Sequence, residues 1–269
     1  MAPLVDVPCF CYRGKPLVAQ IQTGVGEANA AYCLIRKHEY VLTPEERVRQ
    51  ALLWFLTAGA SSAANWMEQL RIEVEYCSLD VVAYYAGITD NRFRPNVATV
   101  VFETKRLEVS VGEDDSTENQ IRRYMVRERC RFGLMFTCRQ AIWVELIGNF
   151  TAPEWRRCQI NDLSEVECRI NRATHEMSEH ASKWVAFFRY AAEGDFDSFR
   201  ALVALFGQDL GLTFVLSIRS NGQIGSLRAF RVRVRDSDLV DFYVRSAAGK
   251  RPVSLKREDF HSLRSVEPL

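Results

Sequence analysis

Val97-Ala98-Thr99-Val100-Val101-Phe102-Glu103-Thr104-Lys105 runs almost without a polar break for its first two thirds and then turns charged. A short β-branched and aromatic run with no alternation is what a strand covered on both faces requires, so it predicts the central strand of an α/β sheet. Its charged end carries the chemistry. Glu103 and Lys105 stand two apart, and the pleat sends both side chains to the same side of the sheet. Burying an ionised group costs several kcal/mol, roughly, unless it is paired or bound to a metal. A carboxylate and an ammonium sharing one strand end therefore point to a charged ligand.

Upstream, Ile72, Val74 and Tyr76 alternate with Glu73 and Glu75, and Leu79 to Tyr85 forms a second β-rich run, together a hairpin or meander. Asp80 opens that second run, where an adjacent antiparallel strand can bring it beside Glu103. Asp plus Glu with open positions for water is the hard oxygen site that Mg²⁺ prefers. Further upstream a helix is announced by Thr43 as N-cap, Pro44 at its first position and Glu46 completing a capping box. Val48, Leu52, Leu53 and Leu56 supply its buried face, Arg47, Arg49 and Gln50 the opposite one, and Gly59 its end. Downstream, a polar loop through Asp114 and Asp115 leads to a helix from about Ser116 to Glu128, which places Gln120 and Tyr124 on one face. Phe132 to Phe136 and Ala141 to Leu146 read as two more strands. The order of elements is that of an α/β core.

Asp80, then Glu103-x-Lys105, then Gln120-x-x-x-Tyr124, preceded by Leu42-Thr43-Pro44-Glu45-Glu46-Arg47-Val48-Arg49-Gln50, resembles the N-terminal nuclease domain of type I restriction enzyme R subunits, within the PD-(D/E)xK superfamily. Asp followed by E-x-K is weak alone; joined to Q-x-x-x-Y and the Thr43–Gln50 helix in this order it is specific. The resemblance covers about residues 36 to 148. It implies a restriction-endonuclease-like core, a mixed central sheet flanked by helices, and a metal-dependent DNA endonuclease of restriction or antiphage defence. Asp80 and Glu103 would be metal ligands for Mg²⁺, or Mn²⁺ in its place. Lys105 would orient the attacking water or steady the transition state, and Gln120 and Tyr124 would shape the DNA side. Glu46 is similar to the helical acid that completes the metal environment in many members, a role that competes with its use as a capping residue. Two features depart from the pattern. Ser78-Leu79 precede Asp80 where a Pro or another acid is usual, and there is no Walker A sequence, so a motor or recognition subunit would be a separate protein. Cutting both strands would call for a homodimer. The rival expectation is a nucleic-acid-binding or scaffolding module of a larger defence complex that keeps the fold without cleaving.

Composition bounds these readings. The 269 residues are 48% hydrophobic and 26% charged, which excludes disorder as the main state. A net charge of +1 means that DNA must be held by local patches. No apolar run approaches the roughly 20 residues that cross a bilayer, and Met1 to Phe10 lacks a basic region followed by a long apolar stretch, so no membrane association and a cytoplasmic location are expected. The eight cysteines include no C-x-x-C and read as scattered, mostly buried thiols. Gly24-Val25-Gly26 lacks the rest of a phosphate loop.

Three parts follow: an N-terminal extension of strands and turns over 1–35, the nuclease-like domain over 36–150, and a smaller α+β domain over 151–269, helical and then β-rich, for DNA or partner binding. Residues 151–210 hold 7 Lys+Arg against 10 Asp+Glu, whereas 219–269 hold 11 against 6. Arg122, Arg123 and Arg127, with Arg129, Arg131 and Arg139, crowd the segment after the E-x-K strand as candidate phosphate contacts. Arg231, Arg233 and Arg235 alternate with Phe230, Val232 and Val234, which predicts one basic face for DNA and one core face. His175 and His180 are five apart and cannot form the i,i+4 pair of a zinc protease. Trp184, Phe187, Phe188 and Tyr190 read as helix core.

Overall fold

The structure, a computed structural model, describes residues 4–23, 30–76, 79–87, 98–108, 115–150, 152–206, 214–246 and 249–268. Gly24 to Gly26, Cys77, the polar stretch up to Asn96, Val97 and Asp114 lie outside them. The chain forms two compact units, one ending at Met177 and the other beginning at Ser178.

In the first unit, β1 (Leu4–Tyr12) and β2 (Lys15–Gln22) form a hairpin. Arg13 and Gly14 make its two-residue turn with φ of 53° and 72°, the pair of positive values that matches strand twist. β3 (Ala30–Cys33) and β4 (His38–Val41) make a second hairpin. α1 (Pro44–Trp54) continues into one π-helical turn over Phe55–Gly59, and α2 (Ala63–Gln69) follows. Then come β5 (Leu70–Tyr76), β6 (Leu79–Tyr85), β7 (Ala98–Thr104), α3 (Asp115–Glu128), β8 (Phe132–Phe136), β9 (Ala141–Asn149), β10 (Ala152–Ile160) and α4 (Leu163–Glu193). One six-stranded sheet runs β10-β9-β8-β7-β6-β5. Its pairs are antiparallel except β7 with β8, which are parallel and joined through α3 as a crossover. Every residue of β7 is buried, as its unbroken apolar run requires. α3 lays Ile121 and Met125 onto Val101 and Met135. Gly133 permits the approach: a Cβ there would lie 2.7 Å from Met125 Sδ and 2.9 Å from Ile121 Cδ1.

The expected division at 35 and 150 is corrected. The N-terminal hairpin is built into the first unit, with Phe10 N–H bonded to the Cys138 carbonyl at 2.9 Å and the Tyr12 hydroxyl donating to Glu167 at 2.8 Å. β10 pairs with β9 along its whole length, from Ala152 opposite Asn149 to Ile160 opposite Ala141. Its side chains are mostly exposed, so it has no hydrophobic signature; the backbone ladder holds it to the sheet, helped by buried Ile160 and by Trp155 packed on the core.

The second unit holds the end of α4, α5 (Phe196–Phe206), β11 (Phe214–Ser220), β12 (Gln223–Val234), β13 (Leu239–Ser246), β14 (Gly249–Lys256), a 3₁₀ turn over Arg257–Ser262 and β15 (Leu263–Pro268). Its five-stranded antiparallel sheet runs β14-β13-β12-β11-β15. Phe187, Phe199, Phe214, Phe242 and Phe260 form an aromatic core, with Phe187 and Phe199 4.9 Å apart. Trp184 and Phe188 are also buried, in line with the helix-core expectation. Of the described cysteines, Cys33, Cys130 and Cys138 are buried, Cys168 is exposed and the rest are half-buried. Among the described residues no helix is long and apolar enough to cross a membrane.

Asp162 fastens the first hairpin to α4. Its carboxylate accepts from Arg13 N–H at 2.9 Å, Gly14 N–H at 2.8 Å and Ser164 N–H at 2.8 Å, the last as an N-cap. Burial opposes its ionisation, but the bonds from Ser164, Gly14 and Arg13 hold its pKa at about 2. Its contribution is therefore present above the ordinary value of 3.8 and lost as pH falls toward 2. Asp162→Ala is expected to cost about 1 kcal/mol and to flatten the acid limb of a stability–pH curve in urea unfolding; an unchanged acid limb would contradict this role.

Candidate active site

Three carboxylates lie in a row across β5, β6 and β7. Glu75 and Asp80 sit opposite one another, because their neighbours pair as Val74 with Val81 and Tyr76 with Leu79. On the other side Val81 pairs with Phe102, which sets Asp80 against Glu103. Cross-strand neighbours have Cα atoms about 5 Å apart, so the expected meeting of Asp80 and Glu103 takes place. Like charges directly opposite are destabilising, and cations from three other places balance them. Lys105 Nζ donates to Glu103 Oε1 at 2.6 Å. Arg49, from α1, donates to Asp80 Oδ1 and to Glu75 Oε1, both at 2.9 Å. Arg36 reaches Glu75 Oε2 at 2.8 Å. Asp80 Oδ2 accepts from the Thr104 N–H at 2.7 Å and from its hydroxyl at 2.9 Å, so β6 grips the end of β7 through a side chain as well as through the ladder.

Glu103 is only 1% exposed, which sets it apart from a solvated strand-end pair. Burial first, then the Asp80 charge, push its carboxyl up to about 7 against the opposing pull of Lys105. Lys105 moves the same way. Burial lowers it, but its hydrogen bond and attraction to Glu103, with Asp80 and Glu45 behind, hold it above the usual ammonium value. Glu103 Oε2 is buried with no hydrogen-bond partner among the described residues. An ionised oxygen in that position is costly unless something positive meets it.

Glu46 goes elsewhere than the sequence suggests. Its N–H is capped by Thr43 Oγ1 at 3.1 Å, but its carboxylate is not turned back to close the capping box. Arg36 and Arg49 pair with it, and Gln50 Nε2 donates to it at 2.6 Å. A buried cluster of two arginines with Glu46 therefore replaces the expected metal role, and Arg49 and Gln50 lie inside where a solvated face was expected. The acid that does bear on the site is Glu45, whose charge acts on both Glu103 and Lys105. Sequence reasoning passed over it because a first-turn acid is already explained by the helix dipole. The available signal was the adjacent Glu45-Glu46 pair: neighbouring residues on a helix diverge by about 100°, so two acids there face two environments.

Gln120 and Tyr124 share a face of α3 as expected, with Gln120 Nε2 donating to Tyr124 Oη at 3.0 Å. Neither bonds to Asp80, Glu103 or Lys105 among the described residues. Tyr124 packs on the cluster that includes Val101, and Glu103 lies two further along β7, on the same face. The arginines of α3 are mostly engaged. Arg122 pairs with Glu118 and lies over Trp155 at 5.5 Å, and Arg127 lies over Tyr124 at 5.0 Å while bonding Glu128. Arg123 is exposed with no ion pair among the described residues. With Arg122, Ser116, Asn119, Val126 and Trp155 it lines an open groove of about 640 Å³. In the second unit Arg235 is taken by Asp241 at 2.9 Å, while Arg231 and Arg233 remain on the sheet face.

A divalent cation fits this donor set in one form. Among the described residues no group of three or more His, Cys, Asp or Glu side chains is placed to enclose a metal. Two carboxylates with the open Oε2 of Glu103 and a spare lone pair on Asp80 Oδ1 suit Mg²⁺, which keeps several waters and takes one or two protein carboxylates.

Two outcomes follow for the protein held in chelator. Arg49→Ala leaves the buried Glu46 short of charge and should destabilise the first unit by on the order of 3 kcal/mol in urea unfolding, where a loss under 1 kcal/mol would count against the network. Because Glu103 is raised from 4.5 to about 7, the folded state holds its proton longer than the unfolded chain. Stability should therefore fall as pH rises through that interval, and Glu103→Gln should remove that slope.

Comparison with known protein-family models, curated proteins and solved structures finds no match to this chain.

Proposed function

We propose that the first unit is a Mg²⁺-dependent phosphodiesterase acting on DNA, with a restriction-endonuclease-like core. The observation that carries this reading is the buried strand end where Asp80, Glu103 with its open Oε2, and the Lys105 ammonium converge. Asp80 and Glu103 would hold the cation. When bound, such an ion offsets charge on a phosphodiester and makes a nearby water more acidic.

The chain's own residues do the rest. Lys105 stands as a fixed positive charge where a pentavalent phosphate would gather negative charge, a placement that acts more strongly in a buried setting than in water. Its bond to Glu103 aims the ammonium, and Thr104 and Arg49 fix the Asp80 carboxylate from two directions. Glu103, its carboxyl raised to about 7 in the metal-free site, would have to release its proton before Oε2 took the cation, so cation binding would be favoured as pH rises through neutrality. Gln120 and Tyr124, on the α3 face, would meet the nucleic acid.

A second reading, a module that binds nucleic acid or scaffolds a larger complex without cutting, is favoured by the guanidinium of Arg49 resting on Asp80. Plasmid and single-stranded DNA incubated with Mg²⁺, Mn²⁺ or chelator separates the two. Metal-dependent cleavage is expected, with Lys105→Ala slower by about two to three orders of magnitude and DNA binding retained. Binding with no turnover under any metal would support the module instead.

A further inference from the structure

Among the described residues, the five-stranded sheet of the second unit packs its aromatic core on one face. Phe214, Leu216, Val232, Phe242 and Val240 point to the buried side, and the alternate positions point to the other. On that other face the register places Arg228 opposite Val215, Arg231 opposite Tyr243 and Arg233 opposite Asp241. A β-bulge between Ala229 and Arg231 makes this possible, because it adds one residue to β12 and carries Phe230 to the side where the arginines stand. The expected core role of Phe230 is thereby corrected. Lys250 of β14 reaches across to lie 5.4 Å from the Phe230 ring, and Arg231 lies 5.4 Å from the Tyr243 ring.

Two carboxylates share this face. Asp241 is 3% exposed and already neutralised by Arg235 at 2.9 Å, with Ser254 donating to it at 2.6 Å. Glu267 is on the edge strand β15. Arg228 and Arg233 are exposed and have no ion pair among the described residues. The described cations of the face thus outnumber its acids, Asp241 being neutralised by Arg235 and Glu267 lying at the edge.

We infer that this face binds a nucleic-acid backbone through Arg228, Arg231, Arg233 and Lys250, without reading sequence. The choice of polyanion rests on the reading of the first unit as acting on DNA. Phosphate recognition, and not base stacking, follows from the geometry: both aromatic rings on the face are already capped by cations, which leaves guanidinium and ammonium groups outermost. Arg235 has no part in it.

The test is fluorescence anisotropy of the full chain with a labelled DNA duplex of arbitrary sequence in chelator, across a range of salt. Arg228→Gln with Arg233→Gln removes two exposed charges without placing a carboxylate opposite Asp241, and should leave the thermal midpoint unchanged. Affinity should fall at least about tenfold, and the slope of log K against log salt should shrink by about two. Arg235→Glu is no substitute, since it takes the counter-charge from buried Asp241. AT-rich and GC-rich duplexes should compete equally. Unchanged affinity and slope in the double variant would overturn the inference, as would a strong preference for one duplex. Binding to phosphatidylglycerol vesicles but not to DNA, or a change of oligomeric state in place of a change of affinity, would overturn it as well. Its fate is separable from that of the first unit: DNA cleaved by a chain whose double variant binds normally refutes the face alone, and DNA bound through the face but never cleaved refutes the nuclease alone.

Discussion

Lining up Glu75, Asp80 and Glu103 on three adjacent strands sets like charges side by side, from the exposed Glu75 to the buried Glu103. Such a row is unstable by itself, and much of the first unit can be understood as what makes it tolerable. Arg49 must come from α1, Arg36 from the segment between β3 and β4, and Lys105 from the end of β7. Each cation therefore ties a different element to the strand end. The hairpin strands, α1 and the central sheet are held in one arrangement by charge balance as well as by apolar packing.

This arrangement leaves one carboxylate oxygen out of balance among the described residues. Arg49 and Thr104 satisfy Asp80, Arg36 and Arg49 satisfy Glu75, and Lys105 satisfies one oxygen of Glu103. The second oxygen is buried and has no hydrogen-bond donor among the described residues. Natural proteins seldom leave a buried polar atom unpaired without a use for it, and a site that still attracts positive charge after its own cations are counted is suited to a divalent ion or to a proton near neutral pH.

Local signals made the central strand, β5 and the first helix legible, and with them the meeting of Glu103 and Lys105. The unbroken apolar run of β7, the period of two in β5 and the Thr43-Pro44 start of α1 are properties of neighbouring residues, and all three stand where the sequence puts them. Glu103 and Lys105 meet because strand geometry alone brings residues two apart together. What could not be read is what depends on partners distant in the chain. Arg36 and Arg49 look like surface residues until Glu46, Glu75 and Asp80 are placed around them. The polar sequence of β10 hides an edge strand, and the bulge at Phe230 reverses an alternation that a linear reading takes as constant.

Gly133 sets how closely α3 can lie on β8. Since α3 also carries Gln120 and Tyr124, the absent methyl group of this glycine works as a spacer of zero thickness. Any larger side chain would lift the helix like a shim under a tool post, and would shift Gln120 and Tyr124 while Asp80, Glu103 and Lys105 kept their places on the sheet.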